Sequence, residues 1–353
     1  MLKGEMVVVG LDGDNKVKTG SLIQTAGLID DLYAEAALNE ELGTKIDSTG
    51  VTFKLWAPTA RSVKIHVWPE NYATDANADM TFDENTGVWS YTAADAGHGS
   101  IYKYQLDVYH PATRTIENIW VTDPYTLTLT GGNSVVVDFD HASVKPAGWD
   151  SVTAPHSQAT PADIAAMFIT ESHIRDLTVG PDKGIPLAKQ GKYVGLLDSS
   201  TAIGQHLKDL STAGVTHMEF LPFYDIASIS EDNVFNNKVA DETLPGTEFC
   251  AHINVTATEG IDVCNSSDTV LEQLAVAAAD DSVTAKKLDT FLNKHVKTQD
   301  NYNWGYDPWH YGAPEGSYAT DKKPMTRIME IRQLIQSVNY PPPKGSGLVT
   351  AQS

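Results

Sequence analysis

Val51-Thr52-Phe53-Lys54-Leu55, the turn Ala57-Pro58-Thr59-Ala60 and Val63-Lys64-Ile65-His66-Val67 lie in one stretch of the sequence. Apolar and polar residues alternate in both flanking runs, and a period of two is typical of strands that bury one face. Alternation returns at residues 102–108, and residues 135–139 fit a final strand. Short strands at this spacing predict a β-sandwich of about one hundred residues.

From about residue 165, predicted strands alternate with helices. Met167-Phe168-Ile169 fits a buried strand, residues 201–212 fit a helix that stops before Gly214, and residues 215–222 fit a second strand. Residues 225–325 make an unusually long connection, and a helix with apolar residues at 328–338 follows it. The order strand, helix, strand implies parallel strands, which is how a (β/α)₈ TIM barrel begins.

The sequence therefore predicts four parts. Residues 1–48 are a lead-in segment with a short strand and a helix, and residues 49–145 are the β-sandwich module. Residues 160–339 are the N-terminal part of a (β/α)₈ barrel. Residues 340–353 carry a run of prolines and glycines and are expected to be a disordered tail. The predicted fold class is multidomain, an all-β sandwich followed by the start of an α/β TIM barrel.

The composition favours an uncharged partner. The chain has 353 residues with 25 Lys and Arg against 46 Asp and Glu, a net charge of −21. This balance argues against nucleic-acid binding, which relies on basic surfaces. It suits a neutral polymer such as a polysaccharide, although solubility alone explains it equally well. No apolar run approaches the roughly 20 residues that span a bilayer, and no signal peptide is visible in this chain.

Two cysteines, Cys250 and Cys264, bound one polar stretch. They are either free thiols in a surface loop or a disulfide, and we favour the disulfide because little apolar sequence surrounds them. A disulfide would place the protein in an oxidising compartment. No Cys and His spacing suggests zinc, and Asp12-Gly13-Asp14-Asn15 lacks the acid that would complete a calcium loop, so we predict no metal site.

Tyr302-Asn303-Trp304-Gly305-Tyr306-Asp307-Pro308 is the most informative stretch for function. Aromatic rings can cover the apolar faces of a sugar while carboxylate and amide groups bind its hydroxyls. The alternative is an aromatic loop that packs on itself. In the sandwich we expect Trp56 in the core, and we consider Trp68 and Trp89 as a second sugar platform.

This run resembles the YNWGYDP signature of type I pullulanases, which belong to the α-amylase superfamily. Other segments are similar to the same family: residues 169–177 and 214–225 resemble its first two barrel strands, and residues 52–60 and 121–125 resemble its starch-binding-type sandwich. The two cysteines lie where secreted bacterial pullulanases carry a cysteine-bounded insertion. The resemblance covers about residues 2–339.

The resemblance implies a piece of an enzyme that hydrolyses α-1,6-glucosidic bonds in pullulan, starch or glycogen by a retaining mechanism. It implies that Tyr306 stacks on the sugar with Asp307 in support, and that Trp304 and His310 are further substrate contacts. The family's catalytic carboxylates match no residue of this sequence, so we expect the chain to be inactive alone. Asp307, Glu315 and Asp321 are expected to bind substrate or stabilise their loop.

Two further expectations follow from the resemblance, and one alternative function is kept beside it. No cofactor is implied for this chain, and calcium binding is left to the full-length family. The full-length precursor is expected to be extracellular or on the cell surface. The alternative function, from a different class, is a non-catalytic protein that binds α-glucans.

Overall fold

The chain forms two structural units, and each is described on its own. The first contains residues 1–166, 310–314 and 323–349, and the second contains residues 167–309, 315–322 and 350–353. The structure, a computed structural model, describes residues 2–69, 75–152, 160–229, 231, 245–252, 262–280, 282–295, 304–339 and 349–351.

The first unit is built mainly from antiparallel strands. They are β1 (Val7–Leu11), β2 (Val17–Leu22), β3 (Gly43–Asp47), β4 (Gly50–Trp56), β5 (Ala60–Trp68), β6 (Ala76–Asp79), β7 (Thr81–Phe82), β8 (Val88–Ala93), β9 (Ile101–His110), β10 (Thr115–Val121), β11 (Leu129–Thr130) and β12 (Asn133–Val135). One sheet has the order β3-β4-β8-β7, and the other has the order β11-β12-β9-β5-β6 with β10 paired to β9. β1 and β2 form a separate hairpin.

The core between the two sheets follows the alternation in the sequence. Val51, Phe53 and Leu55 of β4 are buried, and they cluster with buried residues of β5 and β9 such as Ile65 and Tyr104. β9 is the central strand, because it pairs with β5, β10 and β12. The strand predicted at residues 135–139 is wrong beyond Val135, because β12 covers Asn133–Val135 and no strand continues through residues 136–139.

The buried carboxylate of Asp123 links the segment after β10 to β9. Asp123 is fully buried and its Oδ2 accepts hydrogen bonds from the hydroxyls of Tyr102 at 2.8 Å and Tyr104 at 3.3 Å. Its Oδ1 accepts the backbone N–H of Tyr125 at 2.8 Å. Burial raises the pKa of Asp123, while these three hydrogen bonds lower it. Each polar partner is satisfied in this way within an apolar core.

The helix Pro324–Asn339 packs within the first unit, although the sequence places it in the predicted 160–339 segment. Its Ile328 contacts Val137 and Val144, and Arg332 donates from Nη1 to the carbonyls of Phe139 and Val144 at 2.8 and 2.9 Å. The apolar face at 328–338 predicts a packed helix, but it does not reveal which unit the helix packs against.

The second unit begins with a parallel strand pair. β13 (Ile169–Ser172) pairs in parallel with β14 (His217–Phe220), with Ile169 opposite His217. The helix Ala202–Thr212 connects them; the side chain of Thr201 caps its first turn by accepting the N–H of Gly204. This β-α-β order is the one the sequence predicts, but the strand predicted as buried at residues 167–169 begins at Ile169, and Phe168 and Ile169 are exposed. Among the described residues no sheet closes into a barrel.

The remaining described elements complete both units. Those of the second unit are β15 (Tyr224–Ile226) and the helices Ile174–Thr178, Gly246–His252, Val270–Ala278 and Val283–His295; β16 (Pro308–Pro314) begins in the second unit and continues in the first from His310. Those of the first unit are the helices Thr25–Ala37 and Pro161–Ala165. Within the described part of the chain, no helix is both long and apolar enough to cross a lipid bilayer.

The predicted disordered tail at 340–353 falls mostly outside the described residues. Its described part, Val349–Ala351, forms the short strand β17 beside β14, which differs from the expected disorder. Val, Thr and Ala tolerate extended backbone, so these residues can pair with a strand edge despite the preceding prolines.

Candidate functional site

The aromatic loop, residues 304–309 of the second unit, presents large rings to solvent. Trp304, Tyr306 and Trp309 are 56%, 68% and 54% exposed. Exposed aromatic rings grouped in this way are typical of ligand-binding surfaces. Tyr302 and Asn303, the first residues of the predicted signature, lie outside the described residues. The sugar contacts assigned to Trp304 and Tyr306 stay predictions.

Gly305 fixes the path of the aromatic loop. Its φ of +83° lies in the left-handed region, and a Cβ at this position would lie 2.0 Å from the carbonyl oxygen of Pro222. Only glycine combines this backbone angle with so close an approach. The loop therefore passes directly against the segment that follows β14.

Asp307 holds the aromatic loop to the end of β15. Its carbonyl oxygen accepts the N–H of Ala227 at 3.0 Å, and its Oδ2 accepts the N–H of Ser228 at 3.2 Å. The carboxylate is thus engaged by the backbone beside Tyr306. These contacts give the loop a defined register, and the role of Asp307 in supporting a sugar contact stays a prediction.

Glu315, which directly follows β16, is a buried acid. It is 1% exposed, and its Oε1 accepts the N–H of Ser317 while its Oε2 accepts the N–H of Ile226, both at 2.7 Å. Burial raises the pKa of Glu315 to about 7; its hydrogen bonds oppose this shift, and the nearby Glu231 adds to it. The expectation that this acid stabilises its loop agrees with these contacts.

His310 belongs to the first unit and is directed away from solvent. Its ring is 3% exposed, and Nε2 lies 2.7 Å from Oγ1 of Thr122. Residues alternate along β16, so the exposed ring of Tyr311 is on the opposite side of the strand from His310. A sugar contact by His310 stays a prediction, and the structure adds a packing role in the first unit.

A second exposed aromatic surface lies on the outer face of the β5, β9 and β10 sheet. Trp120 is 47% exposed, and its ring centroid is 4.3 Å from that of His66. His66 also stacks with Trp68 at 6.0 Å, and its Nδ1 and Nε2 contact Asp75 at 2.9 Å and Gln105 at 3.1 Å. We call this surface the Trp120 face.

Polar groups continue the Trp120 face along the sheet. Gln105 donates to Oδ1 of Asn118 at 2.6 Å, and Asn118 donates to Oδ1 of Asp107 at 2.7 Å. An exposed indole beside amide and carboxylate groups has the character of a sugar-binding surface. Sequence reasoning missed Trp120, although its position after Asn118 in an alternating run indicates an outward side chain.

The other tryptophans correct two expectations. Trp56, expected in the core, is 36% exposed and donates from Nε1 to the carbonyl of Thr86. Trp89, considered for a sugar platform, is 6% exposed and donates to the carbonyl of Ala57, so it is a core residue. Of the two tryptophans considered for that platform, only Trp68 lies on the outer face.

Cys250 and Cys264 form a disulfide bond with a Cα–Cα distance of 5.4 Å. The bond joins the helix Gly246–His252 to the short 3₁₀ helix Asp262–Asn265. The cellular location of the full-length protein stays a prediction.

No group of three or more His, Cys, Asp or Glu side chains is arranged to hold a metal ion among the described residues. The Asp12 region is a turn of the β1–β2 hairpin, where Oδ1 of Asp12 accepts the N–H groups of Asp14 and Lys16.

Comparison with known proteins finds relatives of both parts of the chain. The family model Carbohydrate-binding module 48 (Isoamylase N-terminal domain) matches residues 41–126. The chain is 42% identical to a pullulanase of Klebsiella pneumoniae over 96% of its own length and 31% of that relative. It is 28% identical to the chloroplastic pullulanase 1 of Arabidopsis thaliana, again over 96% of its length and 31% of the relative.

Solved structures give the same result. The crystal structure of PulA from Klebsiella oxytoca matches with a TM-score of 0.85 and 40% identity, over 99% of this chain and 33% of that one. A maltotriose complex of PulA from Klebsiella pneumoniae matches with the same TM-score and identity, over 99% of this chain and 37% of that one. The chain thus spans about a third of these relatives.

These findings define the chain as an all-β carbohydrate-binding module followed by the beginning of a pullulanase fold. Over nearly its whole length the chain is homologous to pullulanases, of which it spans about a third. The resemblance and the fold class predicted from the sequence are both confirmed.

Proposed function

We propose that this chain supplies glucan-binding surfaces to a pullulanase-type enzyme that hydrolyses α-1,6-glucosidic bonds in pullulan, starch or glycogen. The observation that carries the proposal is the aromatic loop, where three exposed rings lie on a backbone fixed by Gly305 and Asp307. The maltotriose complexes of the related PulA structures support an α-glucan as the ligand.

The hydrolysis follows the retaining mechanism, with the catalytic carboxylates supplied by residues that are not in this sequence. Retention requires two carboxyl groups about 5–5.5 Å apart, one as nucleophile and one as acid and base. Asp307 and Glu315 do not suit these roles because backbone N–H groups engage both carboxyl groups and Glu315 is buried. Both acids instead accept backbone N–H groups and so support the loop.

The 353-residue chain is therefore expected to release no reducing ends from pullulan. Incubation with pullulan and a reducing-sugar assay measures this, with an inactive preparation from empty vector as the background. Release above that background that disappears in Asp307→Asn would place a catalytic carboxylate in the aromatic loop and contradict the proposal.

A second candidate function, non-catalytic glucan binding, is favoured by the Trp120 face. This surface lies entirely within the module and needs no part of the second unit. The two functions are compatible in one protein, because a module that holds the polymer raises the effective concentration of nearby α-1,6 bonds.

Binding experiments separate the two surfaces. Tyr306→Ala and Trp120→Ala are each expected to weaken maltotriose binding at their own surface about tenfold, since losing an aromatic contact of about 1.4 kcal/mol changes affinity by that factor. Isothermal titration calorimetry measures the affinities. Tyr306→Phe and Trp120→Phe keep a ring and are the matched controls. If either alanine variant binds as the unsubstituted chain does, that surface has no part in binding.

A further inference from the structure

Glu315 connects several segments of the second unit through all of its polar groups. Its N–H donates to the carbonyl of Phe223 at 2.7 Å, and its carbonyl oxygen accepts the hydroxyl of Tyr193 at 3.0 Å. Its two carboxyl oxygens accept the N–H groups of Ile226 and Ser317. A buried acid with this many partners constrains every segment it contacts.

One of these segments also holds the aromatic loop. Oε2 of Glu315 accepts the N–H of Ile226, and Asp307 accepts the next two, those of Ala227 and Ser228. Three consecutive N–H groups are therefore divided between the two acids. A shift of Ile226 away from Glu315 would move the donors on which Asp307 depends.

We propose that Glu315 is a positioning residue for the aromatic loop, acting through residues 226–228 to hold Asp307 and the neighbouring Tyr306 in the orientation that binds sugar. This role rests on the proposed function of the loop. Glu315 itself is 1% exposed and is not a contact for the ligand. Precise placement matters because small displacements of binding groups reduce affinity sharply.

The chemistry of the carboxyl group explains why a glutamate occupies this position. A carboxylate presents two acceptor oxygens, whereas the amide of a glutamine presents one acceptor and one donor group. In Glu315→Gln the amide NH₂ would face either the N–H of Ile226 or that of Ser317, so one bond is lost while size is preserved. Glu315→Asp keeps both oxygens but shortens their reach by one methylene.

The test combines maltotriose titration with amide hydrogen exchange on the full chain. We expect Glu315→Gln to weaken Tyr306-dependent binding about tenfold, to speed exchange at Ala227 and Ser228, and to leave binding at the Trp120 face unchanged. In a Tyr306→Ala background, Glu315→Gln should cause no further loss, because both changes act on one contact. If Glu315→Gln does not fold, Glu315→Asp is measured in the same way with the same expectations.

The outcomes are distinct. Unchanged affinity in Glu315→Gln, together with weaker binding in Tyr306→Ala, overturns the positioning role, as does an additive effect of the two substitutions. If Tyr306→Ala binds normally, the proposed function of the loop fails. Exchange at Ala227 and Ser228 then decides the positioning role without reference to sugar: faster exchange supports it, and unchanged exchange overturns it.

Discussion

Replacing Gly305 with alanine is expected to abolish sugar binding by the aromatic loop and to destabilise the second unit by about 3 kcal/mol. The new Cβ would lie 2.0 Å from the carbonyl oxygen of Pro222, and the φ of +83° is strained for any residue with a side chain. Because the obstructing atom belongs to the backbone, the loop itself must move, and Tyr306 moves with it.

The measurements are maltotriose affinity and hydrogen exchange in residues 304–309. Gly214→Ala is the matched control in the same unit, since Gly214 has a φ of +107° and nothing lies within 4 Å of the position that its new Cβ would take. Gly214→Ala therefore measures the cost of the positive φ alone, which is about 1 kcal/mol of stability. Equal effects of the two substitutions would show that close approach to Pro222 does not fix the loop.

Asp123→Ala is expected to destabilise the sandwich by about 4 kcal/mol, because it leaves the buried hydroxyls of Tyr102 and Tyr104 without their acceptor. The N–H of Tyr125 loses its partner as well. Losses of this size are a large fraction of the stability of an ordinary domain. The free energy of opening, measured by hydrogen exchange in β9, reports the change.

Asp107→Ala is the control for Asp123→Ala. Asp107 accepts hydrogen bonds from Ser62 and Asn118 at the exposed surface, each at 2.7 Å. Its removal is expected to change the stability by less than about 1 kcal/mol, because water replaces exposed partners. A similar loss in both variants would mean that burial of Asp123 does not decide its contribution.

The sandwich was predictable from the sequence because its strands alternate strictly. Val51, Phe53 and Leu55 are all buried, and the same alternation directs Trp56 to the other face, where the structure has it. Trp56 was expected in the core because its side chain is large and apolar, but its position in the alternation predicts the opposite face. Trp89 lies opposite Leu55 in the paired strand, so the pairing places its ring inside, but the register of two strands is not visible in one sequence.

The candidate site was predictable only in part. Trp304, Tyr306 and Asp307 stand in one signature, so sequence alone locates the aromatic loop. The carboxyl group of Glu315 accepts backbone N–H groups of residues 226 and 317. Almost every residue has such a group, so the sequence does not single out these two. The burial of His310 likewise depends on Thr122, which is 188 positions away in the sequence. Tertiary structure alone brings such groups together.

The first unit is discontinuous in sequence, since residues 167–309 separate its sandwich from the helix Pro324–Asn339. During synthesis on a ribosome, Ile328 is added long after Val144, so the cluster that the two residues share cannot form until Ile328 has been made. The module's final packing is therefore a late event in translation. A shortened gene that stops after Trp149 would leave the apolar surface of Val137 and Val144 uncovered, so a stable recombinant module requires the distant helix to be joined back to it.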